Sequence, residues 1–150
     1  MSRPIDPWLT ATAALRLGNR VIDEIQAEVA TKGFNDVTPL HGFAFARIAA
    51  GEATTADLAA HLGISKQAAA QLTQRLVQAG YVSRGAHPHD QRARLLTLTP
   101  RGRACTQAAR RAAEAAVRRW RTELPDTDAE RFEVSLLTLT ASIPSLRPPF

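Results

Sequence analysis

The sequence predicts one mainly helical domain with a small β-hairpin, and three observations support this class. Apolar residues recur at helical spacing over most of the chain. A four-residue turn, Leu62 to Ser65, joins two short helical patterns, as in a helix-turn-helix. After Gly80 the pattern changes to two strand-like runs around a polar loop. The 150 residues, 45% of them apolar, can bury one core of ordinary size.

The first helix is predicted over residues 6–32. Because such a helix is not stable alone in water, its apolar seam indicates packing against other helices. The seam repeats every seven residues and consists of Trp8, Leu15, Ile22 and Val29, with Ala11, Gly18 and Ile25 between them.

The second helix is predicted over residues 39–50. Thr38 supplies an N-cap, Pro39 fits the first helical position, and Gly51 ends the helix. We expect its core face to contain Leu40, Phe43, Ala44 and Ile48.

Two shorter helices follow. Thr54 and Asp57 have the spacing of a capping box, and they open a helix that Gly63 ends. Ser65 then caps a helix over residues 66–79. The pair forms the predicted helix-turn-helix, with a small core of Leu58, Ile64, Ala69, Leu72 and Leu76.

The remainder of the chain predicts a hairpin and two more helices. Residues 81–84 and 94–98 read as its strands, and a long helix follows over residues 100–123. Pro125 breaks that helix, and Thr127 and Glu130 form a second capping box. The last helix ends at Pro144, before a proline-rich tail, and its apolar positions are Ala129, Phe132, Leu136, Leu139 and Ile143.

Positive charge is concentrated in the middle of the chain. The net charge is −2 for residues 1–63, +10 for residues 64–121 and −3 for residues 122–150. Such a basic block indicates a surface that faces a polyanion, although a solvated arginine-rich helix face would have the same composition.

The helix over residues 66–79 has a polar face without carboxylates. Glutamine can bond adenine edges, lysine can reach guanine or phosphate, and alanine lets the backbone approach thymine methyl groups. An ordinary amphipathic helix would also have a polar outside. The face consists of Lys66, Gln67, Ala68, Ala70, Gln71, Gln74 and Arg75.

The hairpin gives independent support for DNA binding. Arg84, Arg92 and Arg94 surround its loop, and Asp90 is close enough in sequence to orient a neighbouring arginine. An oriented arginine suits the negative potential of a narrow minor groove. A helix-turn-helix followed by such a hairpin is a winged helix.

These residues resemble the MarR family of winged helix-turn-helix transcriptional regulators. The resemblance covers nearly the whole chain, and its most specific part is D-x-R-x in the hairpin followed by L-x-L-T-x-x-G. The residues that carry it are Leu62 to Gln67, Leu72, Leu76, Gly80 to Val82, Arg84, Asp90 to Ala93, and Leu96 to Gly102.

The resemblance implies a homodimer on a palindromic DNA operator. Residues 1–36 would be an N-terminal dimerisation helix, residues 37–99 the DNA-binding lobe, and residues 100–150 the long helix and a C-terminal dimerisation helix. Carried over by position, Arg75 and Arg84 would contact the backbone, Arg92 the minor groove, and Asp90 would steer the wing. The major groove would meet Lys66, Gln67, Ala68, Ala70, Gln71 and Gln74, and the predicted DNA-binding residues also include Ser65, which caps their helix, and Arg94 beside the wing.

The resemblance also implies a site for a small aromatic or phenolic effector between the dimerisation helices and the lobe. A site lined by aromatic and arginine side chains would suit an aromatic carboxylate. The alternative is that Trp8 and Phe45 pack the dimer while the arginines face solvent. The candidate lining residues are Trp8, Arg16, Arg20, His41 and Phe45.

Other chemistry has weaker support. Cys105, the single cysteine, excludes an intramolecular disulfide and reads as a packed small residue rather than a redox sensor. His87, His89 and Asp90 are too few for a zinc site without a further ligand. No catalytic constellation is visible, so we expect neither an enzyme nor a cofactor.

The sequence therefore predicts a cytoplasmic, dimeric transcription regulator, most simply a repressor that a small molecule releases. No charge-free stretch reaches the roughly 20 residues that span a bilayer, so we expect no membrane partner. The competing hypothesis is a winged helix that binds proteins, or binds DNA without an operator.

Overall fold

The computed structural model describes residues 5–143, and there the predicted fold class is confirmed. The expected end of the last helix at Pro144 and the tail after it lie outside the described residues. Helices surround one antiparallel hairpin. The elements are α1 (Pro7–Thr31), α2 (Pro39–Ala49), α3 (Thr55–Leu62), α4 (Lys66–Gln78), β1 (Val82–Ala86), β2 (Arg94–Leu98), α5 (Pro100–Glu123) and α6 (Asp126–Thr140).

Side-chain caps begin the helices of the winged-helix lobe, which we define as residues 37–99. The Thr54 hydroxyl accepts from the Asp57 backbone N–H at 3.2 Å, and the Asp57 carboxylate accepts from the Thr54 N–H at 2.7 Å. This confirms the predicted capping box. The Ser65 hydroxyl accepts from Ala68 N–H at 3.1 Å, and Gly63 ends α3 with a positive φ of 67°. The turn between α3 and α4 is therefore fixed on both sides.

The second predicted capping box is wrong. Pro125 is the N-cap of α6, and no side-chain hydrogen bond caps this helix. Thr127 lies inside the helix because it begins at Asp126. The negative charges of Asp126 and Asp128 stand in the first turn, where they complement the helix dipole.

The core of the lobe differs from the prediction in α2. Ala44 and Ile48 are buried as expected, but the third buried side chain is Phe45, while Leu40 and Phe43 are only partly buried. The predicted core of the helix-turn-helix is confirmed, with Ile64 half-buried at its edge. The other core residues contributed by α1, the loops, the hairpin and α5 are Val29, Val37, Ala53, Tyr81, Val82, Leu96 and Cys105.

The hairpin is anchored to the lobe by its buried side. Val82 pairs with Leu98 and Arg84 with Leu96, so Arg84 shares a face of the hairpin with the buried Val82 and Leu96, although Arg84 itself is exposed. The Leu96 N–H donates to the Ala53 carbonyl at 2.8 Å, which ties β2 to the loop before α3. β1 begins one residue later than predicted, because the Tyr81 N–H still bonds Leu76 at the end of α4.

Helix α1 packs along α5. Arg20 bridges Glu24 on its own helix and Glu123 at the end of α5, at 3.1 and 2.8 Å. The hydrogen bond from Arg119 and then that from Arg20 lower the pKa of Glu24. Because Arg20 and Glu123 are exposed and Glu24 is only partly buried, these pairs add little stability.

Large apolar side chains remain exposed at both ends of the described chain. Trp8 is 72% exposed and Leu15 58%, so the first half of the α1 seam is not covered by its own chain. On α6, Leu137 is 70% and Leu139 75% exposed. Within the described residues, no helix is long and apolar enough to cross a membrane.

Candidate nucleic-acid interface

Helix α4 presents the predicted polar face to solvent. Its buried side consists of Ala69, Leu72, Thr73 and Leu76. Gln67, Gln71 and Gln74 follow one another at spacings of four and three residues, so they lie on one side of the helix. All the predicted reading residues from Lys66 to Arg75 are exposed except Ala68, which is half-buried.

The wing stands beside this face with its arginines exposed. Arg84 lies in β1, Arg94 begins β2 opposite Ala86, and Arg92 is in the loop between the strands. The described residues contain no carboxylate within 4.0 Å of these three guanidinium groups, nor of Lys66 or Arg75. The cations of the candidate interface are thus available to phosphates.

Asp90 acts on the backbone rather than on a guanidinium group. Its carboxylate accepts from the Arg92 backbone N–H at 2.9 Å, and its carbonyl accepts from Ala93 N–H at 3.2 Å. The predicted hydrogen bond from a neighbouring arginine is therefore present, and its donor is the Arg92 backbone N–H. This Asx turn fixes the loop and leaves the Arg92 side chain exposed.

The region behind the reading face contains a half-buried histidine. His41 Nδ1 accepts from the Thr38 N–H at 3.2 Å, which completes a capping box at the start of α2. Burial, followed by the positive charge of Arg75, lowers the pKa of His41. At neutral pH the ring is therefore a neutral acceptor, consistent with its cap role.

The structure does not gather the five effector candidates into one cleft. Phe45 is 1% exposed and packs against Tyr81, with ring centroids 5.4 Å apart. Arg20 lies near the C-terminal end of α5, where its guanidinium group pairs with the Glu123 carboxylate. Trp8 and Arg16 are exposed on α1. Phe45 is a core residue of its own lobe, which corrects both its assignment to an open cleft and the alternative that it packs the dimer.

One groove between α1 and α5 does contain a candidate residue. Its volume is about 630 Å³. Its charged lining includes Arg20, Arg111 and Arg119 together with Glu24 and Glu28.

Cys105 is a packed residue, as predicted. It is 1% exposed, and burial raises the pKa of its thiol to about 11, with a smaller effect from the Asp36 carboxylate. Within residues 5–143, no group of three or more His, Cys, Asp or Glu side chains could hold a metal ion.

Sequence reasoning missed a cluster behind the wing. Asp36, Tyr81 and Arg101 come from three separate segments and meet at the Tyr81 hydroxyl. The only sequence signal is a tyrosine directly after the helix-ending Gly80, because Tyr81 is 45 positions from Asp36 and 20 from Arg101.

The fold and this interface define a winged helix-turn-helix protein. Residues 35–93 match the model of the MarR family. No curated protein matches the sequence.

Solved structures extend the likeness to the whole fold. RV1404 from Mycobacterium tuberculosis is 21% identical with a TM-score of 0.77, covering 95% of this chain and 97% of its own. A MarR mutant from E. coli, complexed with operator DNA, is 19% identical (TM-score 0.65), covering 86% and 91%. A MepR mutant from S. aureus, bound to an oligodeoxyribonucleotide, is 15% identical (TM-score 0.65), covering 94% and 99%. The resemblance to the MarR family is confirmed, and the chain has the fold of these transcription regulators.

Proposed function

We propose that this protein is a dimeric transcription regulator that binds a palindromic DNA operator. One observation carries the proposal: the exposed, carboxylate-free face of α4 stands beside an arginine-bearing hairpin whose cations lack carboxylate partners among the described residues. That combination suits a helix in the major groove and a wing on the adjacent minor groove.

The two parts of the interface would do different work. Gln67, Gln71 and Gln74 can bond base edges and therefore read sequence, whereas Arg75 and Arg84 suit phosphates and set the register of the protein on the duplex. Arg92 suits a narrow A/T-rich minor groove, because the electrostatic potential there is most negative. The Asx turn at Asp90 keeps the loop that carries Arg92 in one shape.

The exposed apolar ends support a homodimer. Trp8, Leu15, Leu137 and Leu139 are more than half exposed, and residues of this kind at both ends of one chain are suited to cover each other in a second copy. A two-fold dimer would present both α4 helices to one face of the duplex, with half-sites about one helical turn apart.

Regulation by a small molecule is a further part of the proposal. The groove between α1 and α5 contains Arg20, Arg111 and Arg119, which suit a small acidic or phenolic effector. A ligand that prefers one separation of the two lobes would change operator affinity, and release of a repressor is its simplest effect. Salicylate as probe should raise the melting temperature of the free protein and weaken its DNA complex. If neither salicylate nor other phenols raised the melting temperature or weakened the DNA complex, the proposal of a small acidic or phenolic effector would be contradicted.

Selection from a random duplex pool tests the proposal. We expect a palindrome with half-site centres about 10 to 11 base pairs apart. Recovery of DNA without any shared motif would contradict operator binding and favour a non-specific architectural protein.

The salt dependence of binding tests the arginine contacts separately. Because each neutralised phosphate contributes about −0.9 to the slope of log K against log salt, we expect a slope of several units. Arg84→Ala should reduce it by about 1. A flat salt dependence would favour a protein partner over DNA.

A further inference from the structure

The hydroxyl of Tyr81 joins three segments of the chain. It donates to the Asp36 carboxylate at 2.5 Å and accepts from the Arg101 guanidinium at 3.0 Å. The Arg101 guanidinium also lies 4.6 Å from the centre of the Tyr81 ring and 3.8 Å from Asp36. The three charged or polar groups therefore form a closed cluster.

The backbone of Tyr81 makes further connections. Its N–H donates to the Leu76 carbonyl at 3.0 Å, which closes the end of α4, and its carbonyl accepts from the Thr99 N–H at 3.0 Å, just before α5. Gly102 in the first turn of α5 is so close that an added Cβ would lie 2.2 Å from the Tyr81 oxygen. Tyr81 is thus tied to the end of the reading helix and to the start of the long helix.

Asp36 brings α1 into the same cluster. It lies in the short loop between α1 and α2, and the Phe34 N–H in that loop bonds Val29 at the end of α1. The Phe34 and Phe45 rings pack on Tyr81 at centroid distances of 6.2 and 5.4 Å. The Tyr81 side chain is 1% exposed, while Asp36 and Arg101 are about half exposed at the rim.

We propose that Asp36, Tyr81 and Arg101 are positioning residues that set the direction of α4 relative to α1 and α5, and so fix the half-site spacing that the dimer accepts. This inference rests on the proposed function, because it assigns a role within operator binding. None of the three residues belongs to the exposed reading face of α4.

The length of α4 makes operator spacing sensitive to this cluster. A helix of 13 residues is about 20 Å long. A rotation of about 10° at its C-terminal end would move its N-terminal end by about 3 Å, close to the 3.4 Å rise of one base pair. Since the cluster lies at the C-terminal end of α4, small changes there are amplified at Lys66 and Gln67.

The test compares affinities for the selected palindrome with those for versions that are one base pair shorter and longer between the half-sites. We expect the native protein to prefer its own spacing by about tenfold or more, which is comparable to the cost of one mismatched base pair. Tyr81→Phe keeps the ring but removes both hydroxyl bonds, so it should reduce this preference to about threefold or less. Its affinity for random duplex should stay within about twofold, because the phosphate-binding arginines are unchanged.

Three further variants separate positioning from general stability. Asp36→Ala should reduce the spacing preference as much as Tyr81→Phe does. Asp36→Asn retains an acceptor for the tyrosine hydroxyl, so this variant should keep most of the spacing preference. Ser83→Ala removes only an exposed hydrogen bond to Thr97 and should behave as the native protein. If Tyr81→Phe does not fold, the two Asp36 variants carry the test, since Asp36 is half exposed.

The outcomes separate this inference from the proposed function. A full spacing preference in folded Tyr81→Phe and Asp36→Ala would overturn the positioning role while leaving operator binding intact. The same loss in Asp36→Asn and Asp36→Ala would also overturn it, because the hydrogen bond would then not be what matters. A native protein without preference for any palindrome would instead contradict operator binding itself.

Discussion

The winged-helix lobe and the two ends of the chain are built differently. In the lobe, Leu58, Leu72, Leu76 and Leu96 are all at most 2% exposed, and its helices begin with side-chain caps. On α6, Leu137 and Leu139 are at least 70% exposed, and the helix has no side-chain cap. The lobe buries its apolar surface within one chain, whereas the ends leave theirs open.

This difference indicates which interactions each region needs. Burial of apolar surface is the main favourable term in folding, and the core of the lobe is completed within the same chain by Val29 of α1 and Cys105 of α5. The ends expose apolar side chains of a kind that monomeric soluble proteins rarely leave in contiguous patches. Stability tests should therefore locate their large effects in the lobe and at its junction with α5, and association tests should locate theirs in α1 and α6.

Two glycine variants should give the largest contrast in stability. Gly102→Ala places a Cβ against the Tyr81 backbone oxygen and should destabilise the protein by roughly 3 kcal/mol, the upper end of overpacking costs. Gly42→Ala in α2 meets no atom within 4 Å and should instead stabilise it by about 0.5–1 kcal/mol. Urea unfolding measures both. Equal effects would mean that the junction between the lobe and α5 is not tightly packed.

A charge on the exposed side of α6 should change association rather than folding. Leu139→Asp removes no well-buried side chain of its own chain, so helical content should stay while the mass in solution falls to that of a monomer. Thr127→Asp, an exposed position in the first turn of α6 and twelve residues before Leu139, is the control and should remain dimeric. Sedimentation measures the mass. A native monomer, or a dimer in Leu139→Asp, would contradict the role of these ends.

The helix caps should show the same contrast on a smaller scale. Thr54→Ala removes the hydroxyl that accepts from the Asp57 N–H, while the Thr54 N–H can still donate to the Asp57 carboxylate, and it should cost about 1 kcal/mol. Thr127→Ala removes no cap hydrogen bond, so the free energy of unfolding should change by no more than about 0.5 kcal/mol. If the two variants lost the same stability, the capping difference between α3 and α6 would not hold.

The smallest effect concerns the cysteine thiol. With a pKa of about 11, only about one Cys105 side chain in a thousand is a thiolate at pH 8, and the folded chain shields it. A maleimide should therefore react slowly with the native protein and quickly after unfolding. Thr127→Cys, at an exposed position in the first turn of α6, should react quickly in both states. Because the folded pKa is raised, stability should decline as pH rises from about 9 to 11.

The sequence predicted the lobe more accurately than the contacts between its parts. Capping residues, glycines and proline positions are local signals, and they placed the bounds of α3, α4 and α5 within one or two residues. The exposed face of α4 followed from helical spacing alone. Phe45 and Phe43 differ by only two positions on a largely apolar helix, so spacing could not decide which of them meets Tyr81.

Contacts between distant segments were outside the reach of local patterns. Asp36 and Tyr81 are 45 residues apart, and their meeting depends on how α1, α4 and α5 pack. For Asp90 the sequence indicated a partner nearby, but not that a backbone N–H would take the place of a guanidinium group. The capping pattern at Thr127 failed because Pro125 already set the start of α6.

The central claim is that the outer face of α4 reads bases while the wing follows the backbone and minor groove. Measuring Gln67→Ala against every single-base variant of the selected operator tests it most directly. We predict that discrimination is lost at one position in each half-site, by about 1–3 kcal/mol, and is kept elsewhere. Arg92→Ala should instead weaken binding where the flanks are A/T-rich. Uniform weakening of all sequences by Gln67→Ala, or no change, would contradict the claim.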